Sequence, residues 1–392
     1  MNARARRFWL AVAGLWSAVA PCPPVAGAEA PPAVALERLS LPQGFTIQIW
    51  ARVPGARSLA VAKDGARVYV GTAGSEVFAI LDPDRDGLAD EVVTVAGGLD
   101  APNGVAVGRD DALFVAERHR ILRLDGDGLG SVVVPAGVLP GDGAHGLRYA
   151  AFGPDGRLYV AIGAPCDLCE GRSFAGTIIR MQPDGHELRI FARGIRDVSG
   201  FDWHPTTGQM FFTDTVTGRA GDAAAPHELN LAHRQGLHFG FLRARAPDGR
   251  HPQLREQTSP GGPVPPVLEL EDGMTPSGID FYEGGMFPPG YRHDALIARH
   301  GSQAPGEPPG HRIVRVRFDG DLPVGEETFI EGWLDRRGAV FGRPVDLEEL
   351  PDGSLLVSDD VAGLVYRVTY RPPPGETRRE IAGSALPDRA LR

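Results

Sequence analysis

The sequence repeats one short pattern six times: an alternating apolar segment, a tight turn and a second alternating segment. The clearest copy is AAFGPDGRLYVAIG, which begins at Ala150. Its turn contains Asp155 and Gly156, which are residue types that favour tight hairpins. The other copies begin at residues 61, 105, 201, 279 and 345. A chain of repeated hairpins with turn residues between them is typical of an all-β protein.

A third strand-like segment follows most of these hairpins, as in RILRLDGDG at Arg120 and LVYRVTY at Leu364. Repeats of about 40 to 50 residues with four strands each are typical of propeller blades. Six copies therefore predict a six-bladed β-propeller of four-stranded antiparallel blades over residues 36–370. Residues 45–51 alternate as a strand, and we expect them to complete the last blade beside Leu364, which would close the ring.

Both ends of the chain differ from this pattern. Residues 1–28 are predicted to be a signal peptide, since three arginines precede an apolar run and Ala26 and Ala28 form a small-residue cleavage site. The apolar run is too short for a comfortable membrane span, so we expect no span in the mature form and a location in the periplasm or outside the cell. Residues 371–392 are predicted to be a poorly ordered tail.

Charge and cysteine usage narrow the function classes. The formal net charge of −10 argues against a general nucleic-acid binder. Export would leave Cys166 and Cys169 in an oxidising compartment, which favours a disulfide between them. A redox motif is less favoured because no βαβ pattern surrounds the pair. A zinc site would need two further ligands.

An acidic segment, LDPDRDGLADE, begins at Leu81. Asp82, Asp84 and Asp86 stand at alternate positions, followed by a glycine and by Asp90. Calcium prefers such carboxylate loops, although the bidentate glutamate of a complete EF-hand loop is missing here. The segment therefore predicts either a structural calcium site or an acidic hairpin turn.

Histidine and arginine side chains recur at equivalent edges of different hairpins. His145 precedes the third hairpin, Arg196 the fourth and Arg343 the sixth, and His300 follows the fifth. If the hairpins form blades, these residues lie at one end of the propeller. Such a set favours an anionic or carbonyl-bearing ligand.

Several segments together resemble the glucose/sorbosone dehydrogenase family. They include HGLRYAAFGPDGRLYVAIGAPCDLC, ARGIRDVSGFDWHPTTGQMFFTD, HELNLAHRQGLHFGF and GRPVDLEELPDGSLLVSDD, and the similarity covers residues 41–370. The resemblance implies an exported six-bladed propeller. It also implies binding of pyrroloquinoline quinone with Ca²⁺ at the propeller mouth, and oxidation of sugars or sugar aldehydes.

The resemblance also implies roles for individual residues. His145 matches the general base that removes the proton of the substrate hydroxyl, a task that suits an imidazole. Arg196 matches the arginine that lies against the quinone oxygens. Arg343 matches a contact to a cofactor carboxylate. Asp197 and His300 complete the cofactor-binding set implied by the resemblance and by the hairpin edges.

The segment after the fourth hairpin matches the loop that supplies calcium ligands in the family. The candidates here are Asp214, Thr215, Val216 and Asp222. This loop departs from the family pattern, since the chain has DTVTG where sorbosone-type members usually have DNGRD. His227 also stands where an acidic residue is usual before the sequence ELN.

Two further departures concern the surroundings of the histidine. Asp197 stands in place of the usual asparagine, and Ala164 stands where soluble glucose enzymes have an aspartate that orients the base. Asp142 and Asp167 are the candidates to substitute for that aspartate.

The function expected from the resemblance is that of a quinone-dependent sugar or aldehyde dehydrogenase, with an electron acceptor such as a quinone or a cytochrome. Two alternatives stay open. One is a cofactor-free propeller that acts as a ligand- or protein-binding module. The other, which is weaker, is a calcium-dependent lactonase, because one fold can carry several functions.

Overall fold

The protein was analysed as a computed structural model that describes residues 36–125, 130–167, 169, 171, 173–215, 226–241, 262–271, 275–301, 310–335 and 338–374. The chain divides into two compact units, residues 1–31 and 32–392. The first unit lies outside the described residues, and so does the predicted signal peptide, residues 1–28. The predicted tail, residues 371–392, lies outside them from residue 375 onward. The propeller belongs to the second unit.

The described strands form six sheets, each with four antiparallel strands, one for each predicted blade, so the predicted six-bladed propeller is confirmed. The chain enters through β1 (Phe45–Arg52). The first blade is β2 (Ala56–Val61), β3 (Arg67–Thr72), β4 (Glu76–Leu81) and β5 (Glu91–Gly97). The second is β6 (Gly104–Val107), β7 (Leu113–Ala116), β8 (Ile121–Leu124) and β9 (Gly130–Val134). The third is β10 (Arg148–Phe152), β11 (Leu158–Ile162), β12 (Thr177–Met181) and β13 (Arg189–Arg193).

The remaining three blades follow in chain order. The fourth is β14 (Gly200–Trp203), β15 (Met210–Asp214), β16 (His227–Ala232) and β18 (Leu268–Leu270). The fifth is β19 (Pro276–Phe281), β20 (Ala295–Arg299), β21 (Arg312–Asp319) and β22 (Leu322–Glu331). The sixth is β23 (Pro344–Glu349), β24 (Leu355–Asp359) and β25 (Leu364–Tyr370), completed by β1. The helices of the described residues are two 3₁₀ turns, Leu36–Arg38 and Pro289–Tyr291.

The third blade differs from the others by one added strand. The two-residue β17 (Leu237–His238) pairs in parallel with β13 at its outer edge. The blade therefore has five strands, and its last pairing is not antiparallel. This strand has no alternating segment of its own, which is why the repeat pattern gives no sign of it.

The hairpin turns form as their residues predict. In the turn between β10 and β11, Gly156 has a φ of +75°, a conformation that glycine adopts without strain. Asp155 Oδ1 accepts a hydrogen bond from the backbone N–H of Arg157 at 3.1 Å. The side chain thus fixes the turn that brings the two strands into register.

The core consists of six apolar clusters, one between each pair of neighbouring blades. Between the third and fourth blades, the rings of Tyr149 and Phe201 meet edge to face, with centroids 4.9 Å apart. Between the last and first blades, Trp50 and Val365 pack with Val70. Since apolar packing continues across this seam, the ring is closed around its whole circumference.

The closing strand is the one expected from the sequence. β1 pairs antiparallel with β25, and Phe45 lies opposite Tyr370. This pairing joins strands from the two ends of the propeller sequence and covers the outer edge of β25. Among the described residues, no helix has the length and apolar character needed to cross a membrane.

Candidate functional site

The strand directions bring the predicted site residues to one end of the ring, which we call the site end. The inner strand of every blade starts there, and the second strand of every blade finishes there. His145 comes three residues before β10, Arg196 comes four residues before β14, and Asp214 is the last residue of β15. The expected convergence of hairpin edges therefore holds for these residues.

His145 lies between two carboxylates, one at each ring nitrogen. Its Nε2 is 3.1 Å from Asp167 Oδ1, and its Nδ1 is 3.2 Å from Asp197 Oδ2. The hydrogen bond with Asp197 raises the pKa of His145 above its usual value, although burial opposes that shift. Of the two candidates to substitute for the orienting aspartate, the structure brings Asp167 to the imidazole and adds Asp197.

A glycine packs directly beneath this histidine. A Cβ atom at Gly163 would lie 2.4 Å from the Cβ of His145 and 2.6 Å from its carbonyl oxygen. The neighbouring Ala164 donates its backbone N–H to the carbonyl of Arg196 at 2.7 Å. The end of β11 therefore fixes the backbone of His145 and ties it to the loop that carries Arg196.

Arg196 is buried, with 4% of its surface exposed. Its Nη2 donates to Asp167 Oδ1 at 2.6 Å, and its Nη1 donates to the carbonyl of Thr215 at 2.9 Å. Although burial opposes it, the bond from Arg196 lowers the pKa of Asp167. Within the described part of the chain, Arg196 Nε and Thr215 Oγ1 are buried and have no hydrogen-bond partner.

Asp214 holds the loop before the fourth blade. Its carboxylate accepts the backbone N–H of Arg196 at 3.0 Å and that of Asp197 at 2.8 Å. Burial raises the pKa of Asp214 to about 7, and the charge of Glu228 adds to the shift. The structure thus gives Asp214 a role in positioning Arg196 and Asp197. The other predicted calcium ligands of this loop, Val216 and Asp222, lie outside the described residues.

The predicted disulfide between Cys166 and Cys169 is present. It closes a short ring that contains Asp167, the residue in contact with both His145 and Arg196. The carboxylate of Asp167 is 64% exposed, so it is held from one side by these contacts and faces solvent on the other.

A second group lies at the site end, on the fifth, sixth and first blades. His300 Nε2 is 3.0 Å from Asp360 Oδ1, and Arg57 forms an ion pair with the same carboxylate. Arg57 Nε also donates to Asn103 Oδ1 at 2.6 Å. A cavity of about 420 Å³ opens beside Arg57 and Asp360. Although burial opposes it, the bond from His300 lowers the pKa of Asp360.

Arg343 belongs to the same group. Its backbone N–H donates to Asp359 Oδ1 at 2.9 Å, and its Nη1 lies 3.4 Å from the carbonyl of Gly301. His311 is close by, and both of its ring nitrogens are buried without a partner among the described residues. Burial, with the charges of Arg343 and His300, lowers the pKa of His311 to about 4. This imidazole is therefore neutral at physiological pH.

Arg57, Asn103, Asp360 and His311 are not among the residues that the sequence pattern predicts. The sequence did contain a signal for Arg57, because it is the second residue of the inner strand of the first hairpin and so lies at the same edge as the other candidates. Asp360 directly follows β24, as Thr215 follows β15. His311 has no comparable signal.

The opposite end of the ring has a different character. The inner strands finish there around a cavity of about 370 Å³, and acidic residues such as Asp202, Asp280 and Glu349 line it. None of the predicted site residues that the structure describes lines this cavity. The acidic loop with Asp82 also lies at this end, since β4 runs away from the site end.

A family model for glucose/sorbosone dehydrogenases matches residues 138–367, which is more than half of the chain. The chain belongs to the glucose/sorbosone dehydrogenase family. The matched range contains both groups at the site end except Arg57 and Asn103. Membership of this family supports a sugar oxidoreductase in general terms.

Individual relatives are distant. A Borreliella burgdorferi protein described as uncharacterised is 26% identical over 352 residues, which cover 85% of this chain and 91% of that protein. A family AA12 carbohydrate-active enzyme of Trichoderma reesei is 18% identical, with a TM-score of 0.68 over 85% of this chain and 98% of the other. These similarities support the fold.

Two further structures share the fold. The holo form of the pyranose dehydrogenase quinone domain from Coprinopsis cinerea is 14% identical, with a TM-score of 0.68 over 84% of this chain and 97% of the other. The apo soluble aldose sugar dehydrogenase of Escherichia coli is 16% identical, with a TM-score of 0.59 over 83% of this chain and all of the other.

Proposed function

We propose that this chain is an exported quinone-dependent dehydrogenase that oxidises a sugar or a sugar aldehyde, with pyrroloquinoline quinone and Ca²⁺ as cofactors. The observation that carries this proposal is the position of His145, held between Asp167 and Asp197 beside the buried Arg196. An oriented imidazole next to a guanidinium is the arrangement that proton removal beside an anionic acceptor requires.

The residues at the site end fit such a cofactor. Arg196 Nε and Thr215 Oγ1 are buried, and the described residues offer them no hydrogen-bond partner. An oxygen-rich planar group would satisfy both. Arg196 would face the quinone oxygens, and Arg343 with His300 would bind the cofactor carboxylates. Bound pyrroloquinoline quinone would supply a two-electron acceptor for the hydride that leaves the substrate carbon.

In this mechanism His145 removes the proton of the substrate hydroxyl through Nε2. Asp197 keeps the proton on Nδ1 and stabilises the imidazolium that forms. Asp167 must first leave Nε2, and its exposed carboxylate can then pass the accepted proton to solvent. Proton removal by a positioned base contributes about 10²–10⁴-fold to a rate.

The calcium part of the proposal rests on the loop that begins at Thr215. The carboxylate of Asp214 accepts two backbone N–H groups, and its oxygens have further lone pairs that can bind an ion. Asp214, Thr215, Val216 and Asp222 are the proposed ligands, and calcium favours such oxygen donors. The proposed location is the periplasm or the medium, and the proposed electron acceptor is a quinone or a cytochrome.

The test is reconstitution of the purified mature protein with Ca²⁺ and pyrroloquinoline quinone, followed by dye reduction with aldoses and sugar aldehydes. We expect turnover that His145→Ala lowers by about 10²–10⁴-fold while the calorimetric affinity for the quinone is retained. Absence of quinone binding to the wild-type protein in the presence of Ca²⁺ would overturn the enzyme proposal.

One observation favours the second candidate, a cofactor-free binding module. Arg196 already forms a 2.6 Å ion pair with Asp167 and donates to Thr215. A guanidinium whose two terminal nitrogens are bound in this way contributes to a structural site without any quinone. Failure of quinone binding together with saturable binding of a sugar would support this candidate.

A further inference from the structure

The loop between β4 and β5 of the first blade lies outside the proposed dehydrogenase site. The backbone N–H of Asp82 donates a hydrogen bond to the carbonyl of Ala66 at 2.9 Å, and the backbone N–H of Asp90 donates one to the carbonyl of Leu81 at 2.8 Å. These bonds close residues 82–90 into a compact loop beside the turn that joins β2 and β3. The loop is therefore at the end of the ring opposite to His145.

Three carboxylates meet within this loop. Asp82, Asp84 and Asp86 each offer an oxygen atom, and these atoms lie within 4.8 Å of one another. The side chain of Asp90 does not belong to this group, so the structure brings together three of the four predicted ligands. Three negative charges this close together repel one another unless a cation or protons offset them.

Asp82 adds an observation that is independent of the cluster. Only 4% of its surface is exposed. Its Oδ2 accepts the backbone N–H of Gly87 at 3.1 Å, whereas its Oδ1 is buried and has no hydrogen-bond partner in the part of the chain that the structure describes. Leaving a buried carboxylate oxygen without a partner is unfavourable.

The other two aspartates are arranged as ligands on a tight turn. Asp84 Oδ1 accepts the backbone N–H of Asp86 at 3.3 Å, and Asp86 Oδ1 accepts that of Leu88 at 2.8 Å. Each of these carboxylates has a second oxygen that can bind an ion, and both side chains are exposed. The turn therefore presents two accessible carboxylates above one buried carboxylate.

We propose that this loop binds one calcium ion through carboxylate oxygens of Asp82, Asp84 and Asp86. Calcium takes about six to eight oxygen ligands at flexible geometry, so water and backbone carbonyls complete its shell. The three residues offer oxygen atoms alone, a donor set that suits a hard cation and not zinc.

The loop also contacts the blade that closes the ring. The carbonyl oxygen of Gly87 accepts two hydrogen bonds, one from Nε1 of Trp50 at 3.2 Å and one from Nη1 of Arg367 at 2.5 Å. Trp50 lies on β1 and Arg367 lies on β25. An ion that fixes residues 82–86 thus also fixes the carbonyl that joins the first blade to the last. Calcium should therefore stabilise the closed ring by mass action.

The experiment uses chelator-treated mature protein without quinone, titrated with Tb³⁺ as a luminescent stand-in for Ca²⁺. We expect saturable terbium luminescence sensitised by Trp50, displaced by added Ca²⁺, and a melting temperature that rises with Ca²⁺. Trp50→Phe should abolish the luminescence but leave calorimetric Ca²⁺ binding in place, because the ligands are unchanged.

Asp84→Asn and Asp86→Asn are the decisive variants, since both side chains are exposed and the fold does not depend on burying them. Each should weaken Tb³⁺ and Ca²⁺ binding at this loop by at least about tenfold and reduce the calcium-dependent rise in melting temperature. Asp184→Asn is the matched control, because Asp184 accepts a backbone N–H in an exposed turn of the third blade. It should leave both readouts unchanged.

Two outcomes would overturn the proposal. One is sensitised luminescence that is equal in Asp84→Asn, Asp86→Asn and the wild type. The other is no saturable Ca²⁺ binding at concentrations well above the ~1 mM that weak extracellular calcium sites require. Because the readouts use no quinone and no sugar, neither result depends on the proposed dehydrogenase activity.

Discussion

Asp197 Oδ2 lies 3.2 Å from Nδ1 of His145. Asp197 stands where the family usually has asparagine, and Ala164 stands where soluble glucose enzymes have the aspartate that orients the base. Asp197, on the loop before the fourth blade, thus brings to the imidazole of His145 a carboxylate of the kind that Ala164 does not provide.

The pairing with Asp197 leads to a prediction about pH. The pKa of His145 is raised, so the imidazole is protonated, and unable to act as a base, below that raised value. We expect kcat/KM of the reconstituted enzyme to increase as pH rises through it. In Asp197→Asn the midpoint should move to lower pH, because the largest cause of the shift is removed. The maximal rate should fall by between about 10- and 10⁴-fold, since the imidazole loses its orienting carboxylate.

The pH profile of kcat/KM provides the measurement. Asp184→Asn removes an exposed carboxylate far from the site and should leave the profile unchanged. An Asp197→Asn profile that coincides with that of the wild type would contradict the assigned role of Asp197.

A second prediction concerns Arg343. If its guanidinium binds a cofactor carboxylate, Arg343→Ala should weaken pyrroloquinoline quinone binding by roughly 2–5 kcal/mol. Arg343→Lys should recover little of this affinity, because an ammonium cannot form the bidentate contact. Calorimetry in the presence of Ca²⁺ gives the affinities. Arg189→Ala, on strand β13 of the third blade, is the control and should bind as the wild type does.

A third prediction concerns the disulfide. Replacing Cys166 and Cys169 together with serine should cost about 2 kcal/mol of stability at most, because so short a ring removes little entropy from the unfolded chain. The same variant should lower kcat/KM, since the ring keeps Asp167 beside Arg196 and within reach of the proton that His145 passes to solvent. Chemical denaturation and steady-state kinetics separate the two effects. A large loss of stability with unchanged kcat/KM would contradict the prediction that the disulfide acts mainly on the position of Asp167.

A fourth prediction concerns Asp346, which joins the inner strands of neighbouring blades. It is 1% exposed, and its Oδ2 accepts the backbone N–H of Leu59 at 2.9 Å. Burial raises its pKa to about 7. Since this value is higher than in the unfolded chain, the folded state favours the proton, and stability is lost as pH rises from about 4 through 7.

Asp346→Asn replaces the neutral acid with a group of the same shape that does not titrate. The variant should be more stable than the wild type at about pH 8, by an amount on the order of 4 kcal/mol or less, and should lose most of this advantage at about pH 5. Asp352 gives a control of opposite sign. Although burial opposes it, bonds from Ser354 lower the pKa of Asp352, so Asp352→Asn should destabilise the protein at neutral pH. Denaturation curves at both pH values measure the difference.

The propeller could be predicted from the sequence because its signals are local. Turn residues such as Asp155 and Gly156 act within a few positions, and strand alternation repeats in every blade. The added strand β17 could not be predicted, since Leu237 and His238 pair only because the chain returns to the edge of the third blade.

The candidate site could be predicted only in part. Equivalent hairpin edges indicated His145, Arg196, His300 and Arg343, because blade symmetry places such edges at one end. The contact between Arg57 and Asp360 joins residues 303 positions apart, and it exists only once the ring is closed. The pairing of Asp197 with His145 depends likewise on how two neighbouring blades pack.

The pairing of β1 with β25 has a consequence for the order of folding. Phe45 on β1 pairs with Tyr370 on β25, so β1 cannot form its strand pairing until almost the whole propeller has been synthesised. Contacts of such long range form late and slowly. A circularly permuted chain in which β1 follows β25 would make the sixth blade a local structure. We expect that chain to fold faster and to keep the same ring.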